Sequence, residues 1–200
     1  MIILKKQYIY AFILILLWAT VATVTKMLSD SLTSMQILAG CAFFASLSLI
    51  VLTILQKKIK IIRQYTMKDY LNFIILGFIG IFLYSLLLNN AISLLPAQEA
   101  FIINYLWPIM IMLFAIFILK EKFNIYKLMA LIVSFIGVII IAAKGNIIEI
   151  QFDNLLGVLT AVIAAICYGL FSVLVKKQDY DRTTSMMFYY INHLNNIFKI

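Results

Sequence analysis

Six stretches of about 20 mostly apolar residues follow one another, at roughly 8–26, 32–55, 69–91, 97–119, 125–143 and 154–175. Each is long enough to cross a bilayer as a helix. The runs are continuous and lack the alternation of barrel strands, so the expected fold is all-α, a polytopic transmembrane helical bundle. A seventh run starts near 183 and carries Asn192, His193, Asn195, Asn196 and Lys199. Its last third is poor membrane sequence, so this run is expected to be incomplete or distorted. His193 is given no role.

Composition excludes a soluble reading. Hydrophobic residues make up 65% and charged residues 12%, against about 45–50% and 25% in globular chains. A water-facing surface cannot absorb that excess. The formal net charge of +8 would suggest nucleic acid on a soluble protein. Here the cations sit in short clusters between apolar runs, with no basic face interleaved with aromatics, so nucleic acid is excluded as a partner. With the N-terminus in the cytoplasm, thirteen Lys and Arg fall on the inner side and only Lys26 and Lys144 on the outer side. That asymmetry predicts the orientation. Lys5 and Lys6 precede an apolar run without a small-residue cleavage site, which reads as an uncleaved first helix.

Cys41 and Cys167 both lie within apolar runs, with no Cys-x-x-Cys and no Cys/His cluster. They read as small apolar residues, and no metal or other cofactor is expected. A glycine-rich phosphate loop is missing too. Intramembrane enzymes need paired acids, a metal motif or a Ser/His pair at depth, and Glu99 is the one plausible buried acid. An enzyme is therefore not expected.

Helix 6 restarts the pattern of helix 1. Trp18-Ala19-Thr20 leads to Lys26, and Tyr168-Gly169-Leu170 leads to Lys176, with the same aromatic-to-lysine spacing. Ala11 matches Ala161, and Ser34-Met35 is followed in kind by Ser185-Met186. Five helices separate the two starts, so the second copy enters the membrane upside down. Inverted repeats are a mark of secondary transporters. The expected organisation is a first five-helix repeat over 1–145 and the start of a second, inverted repeat over 150–200, with that second repeat incomplete.

These residues resemble the drug/metabolite transporter superfamily, EamA family. Trp18-Ala19-Thr20 with Lys26 is similar to its opening helix. The string from Asn90 to Ala100, containing Pro96-Ala97-Gln98-Glu99, is similar to its connection between helices 3 and 4. Asn104-Tyr105-Leu106-Trp107-Pro108, followed by Leu119-Lys120-Glu121-Lys122, resembles helix 4 and its exit, and Gly137-Val138-Ile139 fits helix 5. The Asn-Tyr-Leu-Trp-Pro string is most similar to exporters of aromatic amino acids. The resemblance implies ten helices in two inverted halves, both termini cytoplasmic, a bacterial cytoplasmic (inner) membrane location, and outward movement of small metabolites.

Pro108 has no backbone N–H, so the carbonyl four residues earlier, that of Asn104, loses its helical donor. An amide side chain and a freed carbonyl thus coincide on one turn, and in hydrocarbon both need protein, water or substrate. Substrate contact competes there with a plain kink bonded to a neighbouring helix. Glu99, near the outer end of helix 4, is a candidate for a proton or a substrate ammonium; helix-dipole complementarity is the blander account. Trp18, Tyr84, Tyr105, Trp107 and Tyr168 are candidates to line a cavity, although aromatic rings also belt interfaces and fill cores. Asn89 and Asn90 read as a helix stop. Lys26 and Lys176 read as snorkelling helix ends. Ala161, Ala165 and Gly169 read as a ladder for close helix packing.

The leading function is a small-metabolite transporter, an exporter of solutes such as amino acids, working by alternating access in the lipid bilayer. The substrate-binding set is Trp18, Tyr84, Glu99, Asn104, Tyr105, Pro108 and Tyr168. The alternative is a truncated, non-transporting relic, or a subunit that needs a partner: a second copy of itself or a complementing chain.

Overall fold

The structure is a computed structural model that describes residues 6–29, 31–142 and 154–199. Among the described residues every regular element is helical. In chain order they are α1 (Lys6–Ser29), α2 (Ser34–Leu55), the single turn α3 (Ile59–Ile62), α4 (Met67–Gly77), a π-helical segment (Phe78–Leu83), α5 (Tyr84–Leu94), α6 (Ala97–Asn104), α7 (Trp107–Ile118), α8 (Ile125–Ala142), α9 (Leu155–Lys177) and α10 (Arg182–Ile197). Four stretches are long and apolar enough to cross a membrane: Met35–Leu55, Met67–Leu94, Glu99–Ile118 and Leu155–Lys177. Tyr8–Leu17 and Ile125–Gly137 are shorter apolar helical stretches. The chain is an all-α, multi-pass membrane protein. Lys5 and Lys144, used above to orient it, lie outside the described residues.

Two compact units are present, Met1–Cys41 and Ala42–Ile200. The first holds α1 and the start of α2. Thr33 and Gln36 form a reciprocal cap there: the Thr33 N–H donates to Gln36 Oε1 (2.8 Å) and the Gln36 N–H to Thr33 Oγ1 (3.3 Å). Trp18 and Lys26 belong to α1, but their side chains fall outside the described set. Cys41 is exposed, whereas Cys167, in the second unit, is buried.

In the second unit α9 is the axis. It packs against the π segment, α5, α6 and α7. Its contact face is built from small residues, with Ala161, Ala164, Ala165 and Gly169 buried. At Gly169 the approach to α7 is close: a Cβ there would lie 2.6 Å from Met110 Cβ and 3.2 Å from the Ile111 nitrogen. Two apolar clusters flank this axis. One gathers Ala91, Leu95, Ala100, Ile103 and Ala161; the other gathers Phe73, Leu76, Phe171 and Tyr189.

Two membrane stretches are irregular. Met67–Leu94 begins in a capping box, where Thr66 N–H donates to Asp69 Oδ2 (2.7 Å), and then passes through the π segment midway. Glu99–Ile118 breaks at Tyr105 and Leu106, between α6 and α7. Pro108 therefore does not kink a continuous helix. It occupies the first turn of a new one, where no helical N–H partner is required.

The seventh run departs from the expected distortion. Asp181 caps α10 by accepting from the N–H groups of Thr183 and Thr184, both at 3.1 Å, and the helix runs unbroken to Ile197. Its polar residues are turned inward: Thr184, Ser185, Tyr189 and His193 are buried. Ser185, Tyr189 and His193 are spaced four apart, which puts them on one face. That face meets α4 and the π segment, and Asn192 Nδ2 donates to the Ile74 carbonyl at 2.8 Å.

Candidate functional site at the helix break

The two irregular stretches meet. Tyr84 is the first residue after the π segment, and Asn104 is the last residue of α6 before the break. Asn104 Nδ2 donates to Tyr84 Oη at 3.3 Å. A π segment holds one more residue per turn than an α-helix, which re-aims the side chains beyond it, and such segments gather at functional sites. Gly80 lets this segment lie against α9: a Cβ on Gly80 would overlap the Phe171 ring, 2.0 Å from its Cγ. That contact holds Tyr84 against the middle of α9.

From α9, Tyr168 completes the group. Its ring centroid lies 4.9 Å from that of Tyr84 and 5.3 Å from that of Trp107, the latter edge-on at 80°. Three aromatic rings from three elements thus form a chain, Tyr84 to Tyr168 to Trp107, whose Tyr84 end meets the Asn104 amide. Asn104 is 6% exposed, and its Oδ1 is buried without a hydrogen-bond partner. An unmatched acceptor in such surroundings is costly, about 1–3 kcal/mol. It can accept one further N–H or O–H donor.

Of the residues singled out in sequence, Tyr84, Asn104 and Tyr168 come together, with Trp107 beside them. Pro108 is next in line and forms one end of a cavity of about 420 Å³ between α7, α8 and α9. Tyr105 occupies the break itself, is 46% exposed, and makes no ring contact among the described residues. Glu99 lies half-buried in the first turn of α6, at the opposite end of that helix from Asn104. Trp18 is in α1, and its side chain lies outside the described residues. Two features escaped the sequence reading. The inward polar face of α10 carried a signal in its four-residue spacing. The cavity, which joins residues far apart in the chain, carried none.

A family model described as "EamA-like transporter family" matches residues 5–143. The chain belongs to the EamA-like transporter family. Curated EamA-like relatives include a Bacillus subtilis (strain 168) protein described as "Uncharacterized transporter YoaV", 27% identical over 139 residues, which cover 68% of this chain and 45% of that one. A Clostridium kluyveri protein described as "Uncharacterized transporter" is 26% identical over 178 residues, covering 88% of this chain and 57% of that protein. The chain thus spans about half the length of these relatives. A solved crystal structure shares the fold at a TM-score of 0.75 and 21% identity, over 92% of this chain and 62% of the other.

Proposed function

We propose that this EamA-like chain serves transport of small metabolites such as amino acids, by alternating access, and that the Tyr84–Asn104–Trp107–Tyr168 group is where the solute is held. The observation that carries this is the buried Asn104 Oδ1 without a partner, at a break between two helices and on the residue that bonds Tyr84 at one end of the Tyr84–Tyr168–Trp107 ring chain. Discontinuous helices supply backbone and side-chain polar groups at depth, which is how many transporters bind solutes. The amide acceptor suits an ammonium or amide donor. The rings suit an apolar or planar side chain, or a cation over a π face. Transport outward across a bacterial cytoplasmic membrane is part of the same proposal and rests on the family resemblance, while the inward N-terminus rests on the basic-residue asymmetry.

The domain organisation is proposed likewise: a first repeat over 1–145 and an inverted second repeat opening with α9 and α10. Solute counterflow in proteoliposomes over a panel of amino acids tests the function. A saturable signal for at least one of them is expected, and a flat response across the panel would remove the proposal for this chain. Crosslinking in the same membranes reads the alternative: a signal confined to crosslinked dimers means that a second copy is required.

A further inference from the structure

We infer that the cavity between α7, α8 and α9 is a binding site for an anionic phospholipid, separate from the solute site. It has a volume of about 420 Å³, within the roughly 300–1,000 Å³ of ordinary ligand pockets. Of the solute group's neighbours it shares Pro108, while Tyr84, Asn104 and Tyr168 do not line it. Its lining is divided by polarity. The walls along α7 and α8 are mainly apolar, with Ile111, Ile116 and Leu131 among them; Ser134 and Ser172 also line it, their hydroxyls donated to the Ala130 and Tyr168 carbonyls, and the other end carries Lys122, Lys127 and Lys176.

The local fold places these lysines. Lys120 takes a left-handed backbone (φ 55°), and the Glu121 N–H turns back to the Ala115 carbonyl at 3.2 Å. This reversal brings Glu121 and Lys122 to the cavity. Asn124 Oδ1 then accepts from the N–H groups of Tyr126 and Lys127, at 2.9 and 3.3 Å, so Lys127 sits in the first turn of α8. Lys176 is matched by Glu121, with Nζ 2.7 Å from Oε1. Among the described residues no carboxylate lies within ion-pair distance of Lys122 or Lys127. The cavity end therefore carries an uncompensated double positive charge at the edge of an apolar wall.

That charge and that wall fit one molecule together. A phosphate-bearing headgroup meets the lysines while the acyl chain lies along α7 and α8. The outer flank of α8 opens to lipid, since Met129, Val133 and Ile136 are all exposed apolar residues. Basic pockets between transmembrane helices at a membrane surface recognise anionic headgroups in this way. A free small anion would gain the lysines but leave the apolar wall wet.

The test is lipid retention by the purified, delipidated protein, read by native mass spectrometry during titration with mixed micelles. Phosphatidylglycerol is expected to bind at one molecule per chain and phosphatidylcholine not to compete. The Lys122→Gln/Lys127→Gln protein, whose two altered side chains are exposed, is expected to bind phosphatidylglycerol about 30-fold more weakly, the size set by two interfacial lysines. A Lys60→Gln/Lys68→Gln protein is the control for general surface charge and is expected to bind normally. Helix content by circular dichroism confirms that each variant is folded. Equal retention of phosphatidylcholine, equal loss in the control pair, or displacement by millimolar inorganic phosphate would each overturn the inference, the last by assigning the site to a free anion.

Discussion

Replacing Tyr84 by Phe and Asn104 by Leu together should make the protein more stable while removing transport. The structure sets the size of the effect. The Asn104–Tyr84 hydrogen bond is long, at 3.3 Å, and interhelical hydrogen bonds in membranes average about 0.6 kcal/mol. The double substitution loses that bond. It also removes the buried Asn104 Oδ1, which has no partner and costs about 1–3 kcal/mol. The net expectation is a gain of roughly 0.5–2.5 kcal/mol. Asn104→Leu alone gains less, because it leaves the Tyr84 hydroxyl without the donor it now has. Reversible unfolding in mixed micelles, followed by far-ultraviolet circular dichroism, measures the stability, and counterflow measures the function. A double variant destabilised by more than about 1 kcal/mol would refute the reasoning, because Asn104 would then be a structural strut. The trade of stability for activity is the signature of a functional polar group.

Helix packing offers a contrast between two glycines. Gly169→Ala drives a Cβ to 2.6 Å from Met110, whereas Gly137 has nothing within 4 Å of an added Cβ. Overpacking costs about 1–3 kcal/mol, of which better helix propensity returns about 0.5–1, so melting temperatures should fall for Gly169→Ala and hold or rise for Gly137→Ala. Glu99→Gln is expected to leave the pH dependence of counterflow unchanged, since the first turn of α6 favours a carboxylate without any proton role; a shifted pH profile would show that Glu99 carries the proton. The Asp181 carboxyl is pulled upward by burial. The Lys58 ammonium at 2.7 Å and the Thr184 N–H outweigh this and hold it below its ordinary value. Its stabilising contribution is thus complete above the unfolded carboxyl pKa, about 3.9, and is lost as pH falls through the lower folded value. Lys58→Gln should weaken that acid-side loss, at a cost near pH 7 of about 0.2–1 kcal/mol, measurable in an unfolding series from pH 7 to pH 3.

Particular residues show how far the chain could be read without its structure. The membrane stretches were legible because hydropathy and length act locally. The break at Tyr105–Leu106 was legible only within a few residues. Proline lacks the N–H that would pair the carbonyl four residues upstream, and the chain ended one helix and began another rather than bending through Pro108. The π segment was invisible, since Phe78-Ile79-Gly80-Ile81-Phe82-Leu83 is an ordinary apolar run. Its register is decided by Phe171 resting on Gly80 and by Asn192 bonding the Ile74 carbonyl. Tyr84, Asn104 and Tyr168 could each be nominated from residue type, but their meeting depends on three elements folding against α9. His193 sits in a run whose polarity alone argues against a membrane helix. Its burial, at 2% exposed beside Phe82, exists only because α4 and the π segment cover that face.

The solute site is the central claim, and Trp107 is placed to report on it, 5.3 Å from the Tyr168 ring. The sequence holds two tryptophans, so a Trp18→Phe protein isolates the emission of Trp107. Titrating that protein with an amino acid active in counterflow should change the emission saturably, with the same half-saturation as transport, and the change should vanish in the Tyr84→Phe/Asn104→Leu background. Emission that stays flat while counterflow persists, or that responds equally in that background, would contradict the placement of the solute at this group.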